Sequence, residues 1–175
     1  MSNVAAAALY TRLREVLIDS RGVLRTVPSA RFQDYPEGLS APSEMRRAIV
    51  KPCIRWDVRT IGRSKYSPPV NGNLMIYDIR VTVTTLRVVA RNEQLVESLN
   101  DTLVAASLTD QDIIRQALEY PQNLIQTQAA VATGLISGML EFEAAETGVV
   151  GAIDAGAQKL ESKLTFTGWL KCAPA

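Results

Sequence analysis

The chain has 175 residues, 47% hydrophobic and 21% charged, and a formal net charge of +1. That length sustains one domain with a real core and makes two a squeeze, and the composition excludes a disordered tail or a coiled coil. The near-neutral charge supplies no global pull towards nucleic acid or anionic membrane, and the absence of histidine removes Ser-His and Cys-His nucleophiles and every His-ligated metal.

The apolar opening "NVAAAALY" runs straight into Arg12, Arg14 and Glu15. It fits neither a membrane span nor a secretory signal, so a soluble protein made in a cytosol, with no membrane partner, is expected. Val4, Ala8, Leu9, Leu13, Val16 and Leu17 recur at helical spacing, which predicts an amphipathic helix over residues 3–20 with Arg21-Gly22 as its stop. Pro28, Pro36, Gly38 and Pro42 follow in quick succession, so 28–48 reads as an extended arm or loop whose length suggests contact with a neighbour.

At "IVKPCIRWDVRTI" the period becomes two. Ile54, Trp56 and Val58 share one face, and Cys53, Arg55, Asp57 and Arg59 the other. "NLMIYDIRVTVTTLRVVA" repeats this, with Tyr77, Ile79, Val81 and Val83 against Asp78, Arg80, Thr82 and Thr84, and the two strands are expected to pair as a long hairpin. The segment 62–73 between them, carrying Arg63, Lys65 and Tyr66 beside Pro68-Pro69, reads as a projecting loop.

Asn92 stands as an N-cap before Leu95, Leu99 and Leu103, predicting a second helix. Thr109-Asp110-Gln111-Asp112 resembles a capping box and predicts that a separate short helix starts there and ends at Pro121. In "MLEFEAAE", Leu140, Phe142 and Ala144 alternate with Glu141 and Glu143, a third strand. Residues 147–158 read as a Gly/Ala-rich loop. "KLESKLTFTGWLK" closes the chain as a fourth strand at the edge of the sheet, with Leu160, Leu164, Phe166 and Leu170 on one face, and its simplest partner is the strand near 139–146. The expected fold is therefore one α+β domain over 1–175, a roughly four-stranded, mainly antiparallel sheet covered by helices, with long arm segments.

Several motifs carry a chemical reading. Asp154, Glu161 and Lys163 can be aligned with the D…ExK pattern in which two carboxylates hold magnesium and a lysine helps activate water, but Asp154 lies in the Gly/Ala stretch instead of at a strand end. Glu141 and Glu143 share a strand face and could join such a site, although a solvated or interface face explains them better. "GAIDAGAQK" has the glycines of a phosphate loop, with Ala157 and Gln158 where the Lys-Ser/Thr pair belongs, so that reading is discarded. Arg46, Arg47, Lys51, Arg55, Arg59, Arg63 and Lys65 concentrate positive charge around one hairpin and could meet phosphate. Pairing of Arg55, Arg59 and Arg80 with Asp57 and Asp78 accounts for much of it. Cys53 and Cys172 form no metal pattern and read as reduced packing thiols. Trp56 belongs to the core set, whereas Trp169 falls with the polar set as an exposed interface candidate.

The amphipathic first helix, the long hairpin with a polar face, the central helix running into "ALEYPQNLIQTQAAVATGLISGMLEFEA" and the closing "KLTFTGWLK" together resemble the tail terminator and neck (head-tail joining) proteins of tailed bacteriophages. The closest local echoes are "LTFTGWL" and "TGLISGMLEF". The resemblance implies a non-enzymatic ring, hexameric in expectation, that caps the tail tube at the tail-neck junction of the virion after assembly in the host cytoplasm. Its implied partners are copies of itself, tube proteins, sheath proteins where present, and neck or connector proteins, with DNA passing through the hole without sequence-specific binding. It implies no catalytic residue, cofactor or metal. The Pro-rich segment 28–42 and the 62–73 loop depart from the compact members. Candidate interface or channel residues are Arg55, Asp57, Arg59, Arg63, Lys65, Tyr66, Asp78, Arg80, Glu141, Glu143, Lys163 and Trp169. The alternatives are a neighbouring neck or tail-completion protein, a magnesium nuclease using Asp154, Glu161 and Lys163, and a DNA-binding domain using the basic cluster.

Overall fold

A computed structural model describes residues 2–19, 27–28, 31–34, 52–65, 75–90, 96–124, 135–153 and 157–172. Helix α1 spans Ser2–Arg14 and widens into a π-helical turn at Glu15–Asp19. Strands β1 (Gln33–Asp34), β2 (Cys53–Arg63) and β3 (Met75–Ala90) follow, then helix α2 (Val96–Glu119), a 3₁₀ turn at Pro121–Leu124, and strands β4 (Leu135–Ile153) and β5 (Ala157–Cys172). The strands form one sheet in the order β1-β2-β3-β5-β4. The α+β single domain stands, with two corrections: the sheet has five strands instead of four, and it is mixed, because β1 runs parallel to β2 at Gln33↔Cys53 while the other pairings are antiparallel.

The predicted hairpin is present as β2–β3, and the closing strand does pair with the preceding one. It is not an edge strand, however: β5 lies between β4 and β3, and it pairs with β3 along its whole length from Ala157↔Ala90 to Cys172↔Met75. The Gly/Ala-rich stretch is largely strand as well. Residues 147–153 belong to β4 and 157–158 to β5, because ladder partners on β5 satisfy their backbone groups; Asp154 lies outside the described residues. The arm 28–48 is described only at 28 and 31–34, and of the 62–73 loop residues 62–63 continue β2, 64–65 follow it and the remainder lies outside the described set.

Both helices cover one sheet face. Ala8, Leu9, Leu13, Val16 and Leu17, the predicted stripe, are fully buried against Ile54, Trp56, Ile79, Val81, Val83, Leu164, Phe166 and Leu170, which alternate along their strands as a period of two requires. Phe142 and Phe166 meet edge to face at 5.8 Å between centroids. At Gly168 the main chain of β4 comes so close that a Cβ would run into the Met139 carbonyl oxygen, so only glycine fits.

The predicted helix break at Thr109 does not occur. Residues Val96–Glu119 are one helix, and the Thr109 hydroxyl donates back to the Ala105 carbonyl at 2.9 Å, inside it. Asp110 makes no cap because its carboxylate is buried and already committed: Arg31 donates to Oδ1 at 2.7 and 3.0 Å, and Arg87 to Oδ2 at 2.5 Å. Helix α2 ends just before Pro121, as expected, and Asn123 Nδ2 donates to the Ala117 carbonyl at 2.8 Å. Buried Arg12 ties α1 to this corner through Nε to the Asn123 carbonyl (2.6 Å) and Nη1 to Glu15 (2.7 Å).

Candidate interface on the open sheet face

Side chains on the face opposite the helices are exposed or half-buried over most of its breadth, and nine of the twelve candidate residues fall on it: Arg55, Asp57, Arg59, Asp78, Arg80, Glu141, Glu143, Lys163 and Trp169. Three rows of aligned residues cross it. Arg55, Thr84, Lys163 and Glu146 form the first; Asp57, Thr82, Thr165 and Ala144 the second; Arg59, Arg80, Thr167 and Glu141 the third. Arg63 and Lys65 lie exposed at and beyond the end of β2. A bulge between Thr60 and Gly62 puts Arg63 opposite Tyr77, off this face, and Tyr66 lies outside the described residues.

The expected charge pairing is only partly observed. Arg59 binds Asp57 of its own strand at 2.8 Å, but Arg80 reaches across β5 to Glu143 at 3.6 Å, and Arg55 faces Glu161 at 4.0 Å. Asp78 sits instead beside Gly62 and Trp169. Arg59 and Arg80 are directly opposed like charges, a disfavoured cross-strand pair that these two carboxylates offset. Each exposed pair contributes about 0.2–1 kcal/mol.

A second bulge, between Phe142 and Ala144, sends Glu143 and Ala144 both to the open face. Ala144 therefore does not share a face with Leu140 and Phe142. Alternation in the sequence cannot reveal a bulge, since the inserted residue leaves the local composition unchanged. Cys53, expected among the polar set, is buried at 1% exposure; β1 runs beside it and the Gln33 amide donates to its sulfur at 3.5 Å. Trp169, expected to be exposed, is half-buried between Asp78 and Met139, because β5 is an interior strand. Glu146, not singled out from the sequence, is exposed on this face opposite Lys163.

The two ExK residues are held by each other. Lys163 Nζ lies 3.4 Å from Glu161, which also faces Arg55, so the carboxylate is bracketed by cations. Among the described residues no three Asp, Glu, Cys or His side chains converge as metal ligands. No described helix is long and apolar enough to cross a membrane.

No protein-family model matches the chain, and no curated protein matches it.

Proposed function

We propose that this is a structural virion protein of a tailed bacteriophage, a subunit of the ring that caps the tail tube and joins tail to head. The observation that carries this reading is the open sheet face: four long strands carry charged and threonine side chains in aligned rows, most of them exposed or half-buried, with α1 and α2 behind the sheet. Such a face suits a surface buried wet against neighbours or lining a channel. A subunit with two different flanks, as this sheet has, builds a closed ring when each flank receives the other. On this reading the work is geometric: the ring occupies the last tube layer, blocks further addition and leaves a hole for DNA. The resemblance to tail terminator and neck proteins favours termination over a neighbouring neck role.

The nuclease alternative asks Glu161 to bind metal, whereas its carboxylate is already engaged by Lys163 and Arg55. Immunogold labelling of virions with antibody to this chain tests the proposal. Label at the tail-neck junction is expected, together with tails of irregular length, unjoined to heads, when the gene is deleted. Label elsewhere, or normal particles from the deletion, would overturn it. A chelator should change neither result.

A further inference from the structure

The open face is polarised from one side to the other. On this face strand β2 presents two arginines, Arg55 and Arg59, and one aspartate, whereas β4 presents three glutamates and no basic residue. The strands between them present Thr82, Thr84, Thr165 and Thr167 in the same rows. Among the described residues, β1 pairs with β2 only at Cys53 and Ile54, and no strand pairs with the outer side of β4. Residues 143–148 are exposed at every position.

The helix layer repeats the asymmetry with apolar groups. Tyr10, 52% exposed, lies against Trp56 on the β2 flank at 5.3 Å between rings, and Ile61, 63% exposed, projects from the β2 bulge. On the other flank, the α2 stripe that meets β4 through Arg115 over Phe142 (4.9 Å) and Gln111 to Thr147 (2.9 Å) continues into Leu108 and Val104, 54% and 47% exposed.

From this we infer that the β4 flank of one copy of this chain docks on the β2 flank of a second copy, level with it, so that Glu146 meets Arg55 and Glu141 meets Arg59. The register dictates those pairs. Arg55 and Glu146 are the two ends of one cross-sheet row, and Arg59 and Glu141 the ends of another. A second copy placed beside the first with the same face outward continues each row, bringing acid to base at both levels. β2 and β4 run in opposite directions, so the abutting strands are antiparallel. Docking the same flank on itself would oppose like charges. The bulges in β4 at Leu135/Ser137, Phe142/Ala144 and Val150/Ile153 interrupt any continuous backbone ladder, so side chains make the contact. Heterologous docking of this kind propagates from copy to copy and closes when the rotation per step allows it; the inference gives the contact within the ring proposed above and rests on that reading only for closure.

The test is a charge swap read by sedimentation velocity over a concentration series. Glu141→Arg with Glu146→Arg makes both flanks basic, and Arg55→Glu with Arg59→Glu makes both acidic. Each variant alone should self-associate at least tenfold more weakly than the wild type. An equimolar mixture should recover wild-type association, which also shows that both variants are folded. Wild-type association in either variant alone, a mixture that stays monomeric, or a wild-type chain monomeric throughout would overturn the contact. Rings of unchanged diameter in both variants would reject this contact while leaving the ring intact. Charge-dependent association into open chains would support the contact and count against the ring.

Discussion

Asp110 shows how one buried charge sets local structure. It reads from the sequence as the second residue of a capping box, and instead it joins Arg31 and Arg87 from mid-helix, tying the segment before β1 and the end of β3 to α2. Removing its charge leaves two partly buried guanidinium groups facing each other. Asp110→Asn is therefore expected to cost about 2–3 kcal/mol, at the low side for a broken buried pair because both arginines keep some solvent contact. Urea unfolding measures this. The thiols give a pH signature of definite sign. Burial holds Cys172 up at about 11 and also raises Cys53, with the Gln33 amide pulling the other way. The unfolded chain ionises both near about 8.5, so above that pH it binds fewer protons than the folded chain. Stability is expected to be full below that range and to fall as pH rises towards about 11. Urea midpoints at pH 8 and pH 10.5 check the direction, and Cys172→Ala should flatten the fall.

At the scale of elements, helix α2 is docked by a polar knot as well as by its apolar side. Ser162 on β5 shares its hydroxyl with Ser107 (2.8 Å), Gln111 (3.2 Å) and Thr147 (3.1 Å), uniting the helix with both strands of the β4–β5 pair. Ser162→Ala strands buried partners and is expected to destabilise by about 1–2 kcal/mol. Hydrogen exchange in α2 should rise more than in α1, and an equal rise in both would contradict the docking role. Much at this scale was legible. The α1 stripe, the β2–β3 hairpin and the apolar face of β5 all follow from side-chain period, which burial directly rewards. The interior place of β5 was not legible, because non-local strand order leaves no local trace. Its sign in retrospect is Ser162 and Gly168 on the core face, small residues where a helix and a neighbouring strand press close. Nor could β1 be read from its two residues.

Across the whole molecule, the candidate site was legible as a set of residues but not as an arrangement. Alternation identifies Arg55, Arg59, Arg80, Glu141 and Glu143 as facing away from the core; only the strand order separates the arginines of β2 from the glutamates of β4 by two intervening strands. With that order the face gains a direction, basic at one flank and acidic at the other, and a directional surface is what a repeating head-to-tail contact requires. Exposed charges of this kind are screened by salt, so association is expected to weaken several-fold as ionic strength rises from 0.05 to 0.5 M, the Debye length falling well below 10 Å. Salt-independent association would place the contact on apolar groups alone. Whether the proposed ring forms is read by negative-stain electron microscopy of the concentrated protein beside its sedimentation mass. Closed rings with a central hole and a mass that is one integral multiple of the chain are expected; a monomer at every concentration, or a closed two-fold dimer, would rule the ring out.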